Sequence, residues 1–218
     1  MNHISIRNRE AKIYPGKLLC IGRNYAAHAH ELGNEVPAFP IVFMKSPSVM
    51  IPSGKDIVHP VYSNDMHHEI ELVLLIGNNL KNASNEAAER GIFAYGVGLD
   101  MTLRDVQQKA KEKGHPWTLA KNFDGAAVLS EFLPAAEYQL NGDENIQLSV
   151  NGSIKQNSDL SKMIFSPIAI VKYLSEKMTL EKGDLIFTGT PAGVGKVSRG
   201  DKIWGSIENI GEITTRII

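Results

Sequence analysis

Two carboxylates stand two residues apart at the head of an apolar run, His68-Glu69-Ile70-Glu71-Leu72-Val73-Leu74-Leu75-Ile76-Gly77. The run's length and content predict a buried strand. Side chains alternate along a strand, so Glu69 and Glu71 project the same way. Two such carboxylates repel and are costly to bury unpaired. A hard cation with oxygen ligands, Mg²⁺, Ca²⁺ or Mn²⁺, removes both costs. An exposed strand end with two solvated glutamates would give the same letters, so the pair needs company. Asp100 ends a second apolar run, Ile92 to Leu99, and Arg104 and Gln107 follow it at i+4 and i+7. An acid beside an arginine and an amide suits a cation together with an anionic substrate; an ordinary i,i+4 Asp–Arg pair is the plainer reading. His28 and Glu31, three apart, share a helical face. A carboxylate fixes the imidazole tautomer and raises its basicity, which is what taking a proton from water needs. Lys121 lies among Leu119, Ala120 and Phe123; a desolvated lysine is reactive or charge-paired, while a surface one snorkels.

These residues need elements to hold them. Lys17 to Ile21 and Ile41 to Met44 read as strands flanking a short helix that Asn24 caps and Gly33 stops. Ile57 to Val61 reads as a short edge segment, limited by Pro60. Ser84 caps a helix over Asn85 to Arg90, and Thr102 is expected to cap one that stops at Gly114. Asn141-Gly142 and Asn151-Gly152 are hairpin signals. Ser166 and Pro167 open an amphipathic helix whose Ile168, Val171 and Leu174 face the core. Leu185-Ile186-Phe187 forms a last buried strand leading into Thr188-Gly189-Thr190-Pro191-Ala192-Gly193-Val194-Gly195. This loop fails the phosphate-loop pattern, and Gly96-x-Gly98 fails the dinucleotide one. It can still offer backbone N–H groups and the Thr190 hydroxyl to an oxyanion. The tail from Lys202 alternates as closing strands around Asn209-Ile210-Gly211.

Composition narrows the function classes. A chain of 218 residues with 43% hydrophobic and 22% charged residues is expected to be one globular domain, 1–218. Its net charge of −1, without blocks of one sign, gives no reason to expect a nucleic-acid partner. One cysteine, Cys20, excludes an internal disulfide and a cysteine-based zinc site, and its apolar neighbours make it a core residue. No run approaches the roughly 18 apolar residues of a membrane span, and Met1 to Lys12 has no signal-peptide core. A cytoplasmic, reducing compartment is the expectation.

In combination the motifs resemble the fumarylacetoacetate hydrolase family. They are Gly22-Arg23-Asn24-Tyr25 with His28 and Glu31, His67-His68-Glu69-Ile70-Glu71-Leu72, Leu99-Asp100-Met101-Thr102-x-Arg104-Asp105-Val106-Gln107, Trp117-Thr118-x-Ala120-Lys121 and Thr188-Gly189-Thr190-Pro191-x-Gly193-Val194-Gly195. The short branch, similar to acylpyruvate hydrolases that also decarboxylate oxaloacetate, fits best. The resemblance implies a β-rich α+β fold, a mixed β-sheet roll with peripheral helices, commonly a homodimer. It implies Mg²⁺ (or Mn²⁺) at Glu69, Glu71 and Asp100, substrate contacts from Arg23, Arg104, Gln107, Lys121 and Thr190, and a water-activating His28–Glu31 dyad on a lid helix. The expected substrate is a small dioxo or dicarboxylic acid. The alternatives are an isomerase or decarboxylase of 2-hydroxy-diene diacids and a non-catalytic metal- or acid-binding protein.

Overall fold

The computed structural model describes every residue except 1, 2, 32 and 34, and no side chain at 11 or 12. A hairpin, β1 (Ile4–Ile6) and β2 (Arg9–Ile13), precedes β3 (Leu18–Gly22), α1 (Ala26–Glu31), β4 (Ile41–Lys45) and β5 (Met50–Pro52). Next come β6 (Met66–His68), β7 (Ile70–Ile76), α2 (Asn85–Gly91), β8 (Ile92–Asp100), β9 (Thr102–Leu103), α3 (Arg104–Glu112) and α4 (Thr118–Lys121). The chain continues through β10 (Ala127–Leu129), β11 (Leu133–Pro134), β12 (Asn145–Val150), β13 (Ser153–Asp159) and α5 (Pro167–Lys177). It closes with β14 (Leu185–Phe187), β15 (Gly195–Val197), β16 (Lys202–Ile207) and β17 (Gly211–Arg216).

The main sheet runs β4-β3-β14-β7-β8-β10-β5, with β11 also on β8. Pairings of β14 with β3 and of β10 with β5 are parallel; the others in this sheet are antiparallel. A second sheet, β13-β12-β16-β17, and a small one, β15-β6-β9, complete a curled, strand-rich α+β architecture, as expected. Every residue of β7 is buried, which explains its unbroken apolar run: a strand covered on both faces has no solvent side to alternate with. The core passes from Leu18, Leu19 and Cys20 through β7 and β8 to Ile203, Ile207 and Ile213 of the second sheet.

Several local expectations hold. Ser84 and Ser166 accept from Ala87 N–H and Ala169 N–H and cap α2 and α5. Asn151 and Gly152, both at positive φ, turn β12 into β13. Others are corrected. Asn24 does not cap α1: its amide donates to Phe165 O and Thr188 O and accepts from Phe165 N–H. Buried tertiary partners therefore take the side chain that a local cap would have used. Residue 32 of the expected helix lies outside the described residues. Thr102 sits in β9, and its hydroxyl donates to Asp100 O, so α3 starts at Arg104 with no side-chain cap. Asn141-Gly142 forms a loop whose N–H groups bind Glu144, not a hairpin turn. In the segment 57–61 no strand forms: Ile57 alone bridges Ile217.

Candidate functional site

Glu69 lies at the break between β6 and β7, Glu71 is the second residue of β7, and Asp100 ends β8. The β7–β8 register sets Ile70 opposite Leu99, and Asp100 N–H donates to Glu69 O, so the two strand ends close on each other. One oxygen from each of the three carboxylates lies within 4.8 Å of the others, and all three residues are buried. One cleft is lined by nine of the ten expected residues, namely His28, Arg23, Glu69, Glu71, Asp100, Arg104, Gln107, Lys121 and Thr190. The tenth, Glu31, supports His28 from behind: its Oε2 lies 3.2 Å from His28 Nδ1.

The three acids are held differently. Glu69 Oε2 takes Lys121 Nζ at 2.7 Å, and its Oε1 takes Arg104 Nη2. Arg104 thus pairs with Glu69 rather than Asp100, and it also holds Gln107 Oε1 at 2.8 Å. Asp100 takes Lys121 on Oδ2 at 2.7 Å and stands 2.8 Å from Lys45 on Oδ1. Among the described residues Glu71 pairs with no cation and accepts from Gly189 N–H at 2.7 Å. Burial alone would raise Glu69, but Lys121 and Arg104 hold it well below the usual carboxylate range. Burial, then the charges of Asp100 and Glu69, push Glu71 well above that range. The same fields act in reverse on Lys121: burial would lower it, but Asp100 and Glu69 keep its ammonium charged. It is charge-paired rather than a reactive amine. Burial lowers His28 against the opposing pull of Glu69 and Glu31, so its imidazole is neutral near pH 7.

This donor set fits a divalent cation. It is all oxygen, as Mg²⁺ and Mn²⁺ prefer. Among the described residues Glu71 pairs with no cation, and Asp100 Oδ1 has no hydrogen-bond partner despite the nearby Lys45. With all three ionised, the acids match the charges of Lys45, Lys121 and Arg104. An added divalent ion would therefore be balanced by a doubly charged anion.

Thr190 departs from expectation. Its hydroxyl donates to Ile70 O and accepts from Gln156 Nε2, both at 2.8 Å, so its proton is committed to the chain. The loop's N–H groups also serve the protein: Gly189 binds Glu71, and Gly193 binds both oxygens of Glu31 at 3.0 and 3.2 Å. Sequence reasoning missed two buried residues. Lys45 ties Asp100 to the backbone of Met101 and Lys121. Gln156 accepts from Ile70 N–H and His68 and donates to Thr190 and Pro191 O, bracing the carboxylate strand against the glycine loop. An apolar strand before Lys45 was the available signal for the first; for Gln156, in an exposed polar strand, there was none.

A model described as fumarylacetoacetate (FAA) hydrolase C-terminal matches residues 17–218. The chain is 40% identical over 193 residues to the mitochondrial oxaloacetate tautomerase FAHD1 of Bos taurus, covering 88% of this chain and 87% of that protein. It is 40% identical over 209 residues to the oxaloacetate tautomerase YcgM of Escherichia coli K12, covering 94% of each. Among solved structures it is similar to fumarylpyruvate hydrolase from Pseudomonas aeruginosa in complex with Mn²⁺ and pyruvate. That likeness has a TM-score of 0.96 and 37% identity over 100% of this chain and 95% of the other.

Proposed function

The chain belongs to the fumarylacetoacetate hydrolase family, and on that premise we propose a divalent-metal enzyme of small 2-oxo acids, residues 1–218 acting as one catalytic unit. Its main reaction is hydrolysis of the C3–C4 bond of 2,4-dioxo acids (acylpyruvates) to pyruvate and a carboxylic acid. The observation that carries this reading is the preassembled dyad: His28 Nδ1 is 3.2 Å from Glu31 Oε2, and His28 lines the cleft that holds the three acids. Mg²⁺ or Mn²⁺ held by Glu69, Glu71 and Asp100 would supply Lewis acidity to the oxygens of a chelating 2-oxo acid.

The chain's own residues do the rest. Glu31 holds Nδ1, leaving the other ring nitrogen of neutral His28 free to take a proton from water. The water oxygen bonds to C4, the C3–C4 bond breaks, and its electron pair passes into the enolate of pyruvate. Lys121, kept charged by Asp100 and Glu69, stabilises that enolate. The proton on His28 returns to C3, and a carboxylic acid and pyruvate leave. Arg104, held against Gln107 and Glu69, orients the substrate carboxylate. Oxaloacetate fits the same scheme, since losing CO₂ yields the same enolate without water.

A second reading is keto–enol tautomerisation of oxaloacetate, favoured by the two relatives that carry that name. There His28 would move a proton at C3 and no pyruvate would form. The isomerase of 2-hydroxy-diene diacids shares that feature. A homodimer in a reducing, cytosolic setting stays part of the proposal, on the family resemblance and the free Cys20 thiol; no helix among the described residues is long and apolar enough to cross a membrane.

His28→Ala tests the main reading. Acylpyruvate hydrolysis, followed as pyruvate, should fall about 100-fold or more, the usual worth of a general base, and oxaloacetate decarboxylation should fall far less. Equal losses would overturn the dyad as water activator. A wild type that interconverts oxaloacetate tautomers while releasing no pyruvate from any acylpyruvate would replace the main reading with the second.

A further inference from the structure

Asn-Gly occurs twice in the chain, at Asn141-Gly142 and at Asn151-Gly152. The dipeptide carries a chemistry of its own. A glycine has no Cβ to shield its nitrogen, and the amide carbon of the preceding asparagine lies one ring closure away from it. Closing that ring expels ammonia and in the end leaves an acid where an amide stood, one reason asparagine is a thermolabile residue. Both glycines have positive φ and open space where a Cβ would stand, so crowding does not separate the two sites.

Their side chains do. Asn151, at φ 52°, sits in the two-residue turn between β12 and β13, with Val150 paired to Ser153 across it. Its amide is held at both ends: Nδ2 donates to Asp201 Oδ1 at 2.8 Å, and Oδ1 accepts from Lys202 N–H at 2.9 Å. Asn141 is exposed, lies outside the left-handed region, and its side chain makes no hydrogen bond among the described residues. Its backbone, by contrast, is pinned. Buried Glu144 takes Asn141 N–H on Oε1 at 2.6 Å and Gly142 N–H on Oε2 at 2.9 Å, and Tyr138 OH donates to Oε1 at 2.9 Å. A free amide therefore swings beside a fixed nitrogen whose proton already points at a carboxylate, the geometry of general-base assistance.

We propose that Asn141 is a site of spontaneous covalent modification, deamidation through a cyclic imide with Glu144 as the base, and that Asp201 and the turn protect Asn151 from the same reaction. The Gly142 nitrogen bonds to Asn141 Cγ while its proton passes to Glu144 Oε2. The Cγ–Nδ2 bond then breaks, and Nδ2 leaves as ammonia with that proton. One water opens the imide at either carbonyl, giving an aspartyl or an isoaspartyl residue at position 141. Nothing is oxidised or reduced. Each conversion adds a negative charge beside Glu144, and the isoaspartyl product lengthens the backbone between the two N–H groups that Glu144 holds.

Peptide mapping by mass spectrometry tests this on the folded full chain, aged in mildly alkaline buffer well below its melting temperature. Conversion at position 141 should run about tenfold or more ahead of that at 151, the worth of the two hydrogen bonds that the Asn151 amide must first break. Equal conversion, faster conversion at 151, or an unchanged Asn141 would overturn the site. Asp201→Ala frees the Asn151 amide and should raise conversion at 151 severalfold; no rise would remove Asp201 as its protector. Glu144→Gln should slow conversion at 141 severalfold, and a rate that holds or rises would reduce Glu144 to a backbone clamp. Should that variant not fold, wild type aged in heavy water replaces it. Slower conversion at matched acidity would support proton transfer to Glu144, and an unchanged rate would overturn it.

Discussion

Among the three acids, Glu71 is the one that no cation of the described residues pairs with, and its neighbours Asp100 and Glu69 both oppose its ionisation. Two effects of Glu71→Gln therefore have opposite signs. In chelator the variant should be as stable as the wild type or more so, because a buried repulsion is removed and the Gly189 N–H keeps an acceptor. With Mn²⁺ present it should lose the ion, weakening binding at least tenfold, with turnover falling in step. Calorimetric titration and thermal melts with and without Mn²⁺ check both; full Mn²⁺ affinity in the variant would remove Glu71 from the ligand set. His28 gives a pH prediction. Burial lowers it below its ordinary value of about 6.5. Its neutral, proton-accepting form thus persists to lower pH, and the acidic limb of kcat/KM for hydrolysis should fall below pH 6.5. A limb above that value would mean another group limits the acid side. At this scale much was legible. Glu69 with Glu71 and His28 with Glu31 follow from strand and helix periodicity, because each pair is local. Lys45 was not, because its partner Asp100 is 55 positions away and the letters around Lys45 spell a turn.

The elements were readable where the signal was local and misread where a side chain had distant partners to choose. The apolar run of β7, the caps of α2 and α5 and the Asn151-Gly152 turn all depend on neighbours in sequence. Asn24 and Thr102 carry the right chemistry for capping, yet their hydrogen bonds go to Phe165 and Thr188 in one case and to Asp100 O in the other. The glycine loop is the clearest example. Its letters suggest an anion cradle, while its N–H groups hold Glu71 and Glu31. Gly193 has φ 97°, and a Cβ there would stand 2.0 Å from Lys155 O, which is backbone and cannot swing aside. Gly193→Ala should cost about 2 kcal/mol or more in urea denaturation. It should also slow acylpyruvate hydrolysis more than oxaloacetate decarboxylation, since the displaced loop releases Glu31 and with it the His28 tautomer. Equal slowing would show that the loop supports the whole cleft rather than the dyad. Gln156→Leu attacks the same brace from β13. It takes the Gln156 partner from Ile70 N–H, His68 Nδ1 and Pro191 O and one of the two hydrogen bonds of the Thr190 hydroxyl, which should destabilise the fold by about 3 kcal/mol. The same melts should show it, and a variant as stable as wild type would demote Gln156 to a bystander.

For the molecule as a whole, the three acids gather strands that are separate in sequence: the β6–β7 junction, β7 itself and the end of β8. An ion bound there joins the middle of the main sheet, and it stabilises only the state in which those strands are paired. At a free concentration a hundredfold above Kd the gain is about 2.7 kcal/mol. Cys20 reports whether that gain reaches the rest of the sheet. It is fully buried in β3, with β14 between it and β7, and burial lifts its thiol well above the ordinary value. The native thiol should be inert, so labelling by a thiol reagent measures opening. If the sheet opens as one cooperative unit, Mn²⁺ at a hundredfold excess over Kd should slow labelling by about the same hundredfold. The β4–β3 edge offers a competing route, since β4 has no further strand beside it and local peeling there would free Cys20 with the three acids still together. In that case labelling would be indifferent to Mn²⁺ while thermal unfolding still responded. Comparing the two responses in wild type and in Glu71→Gln, where neither should depend on the ion, separates whole-sheet opening from edge fraying.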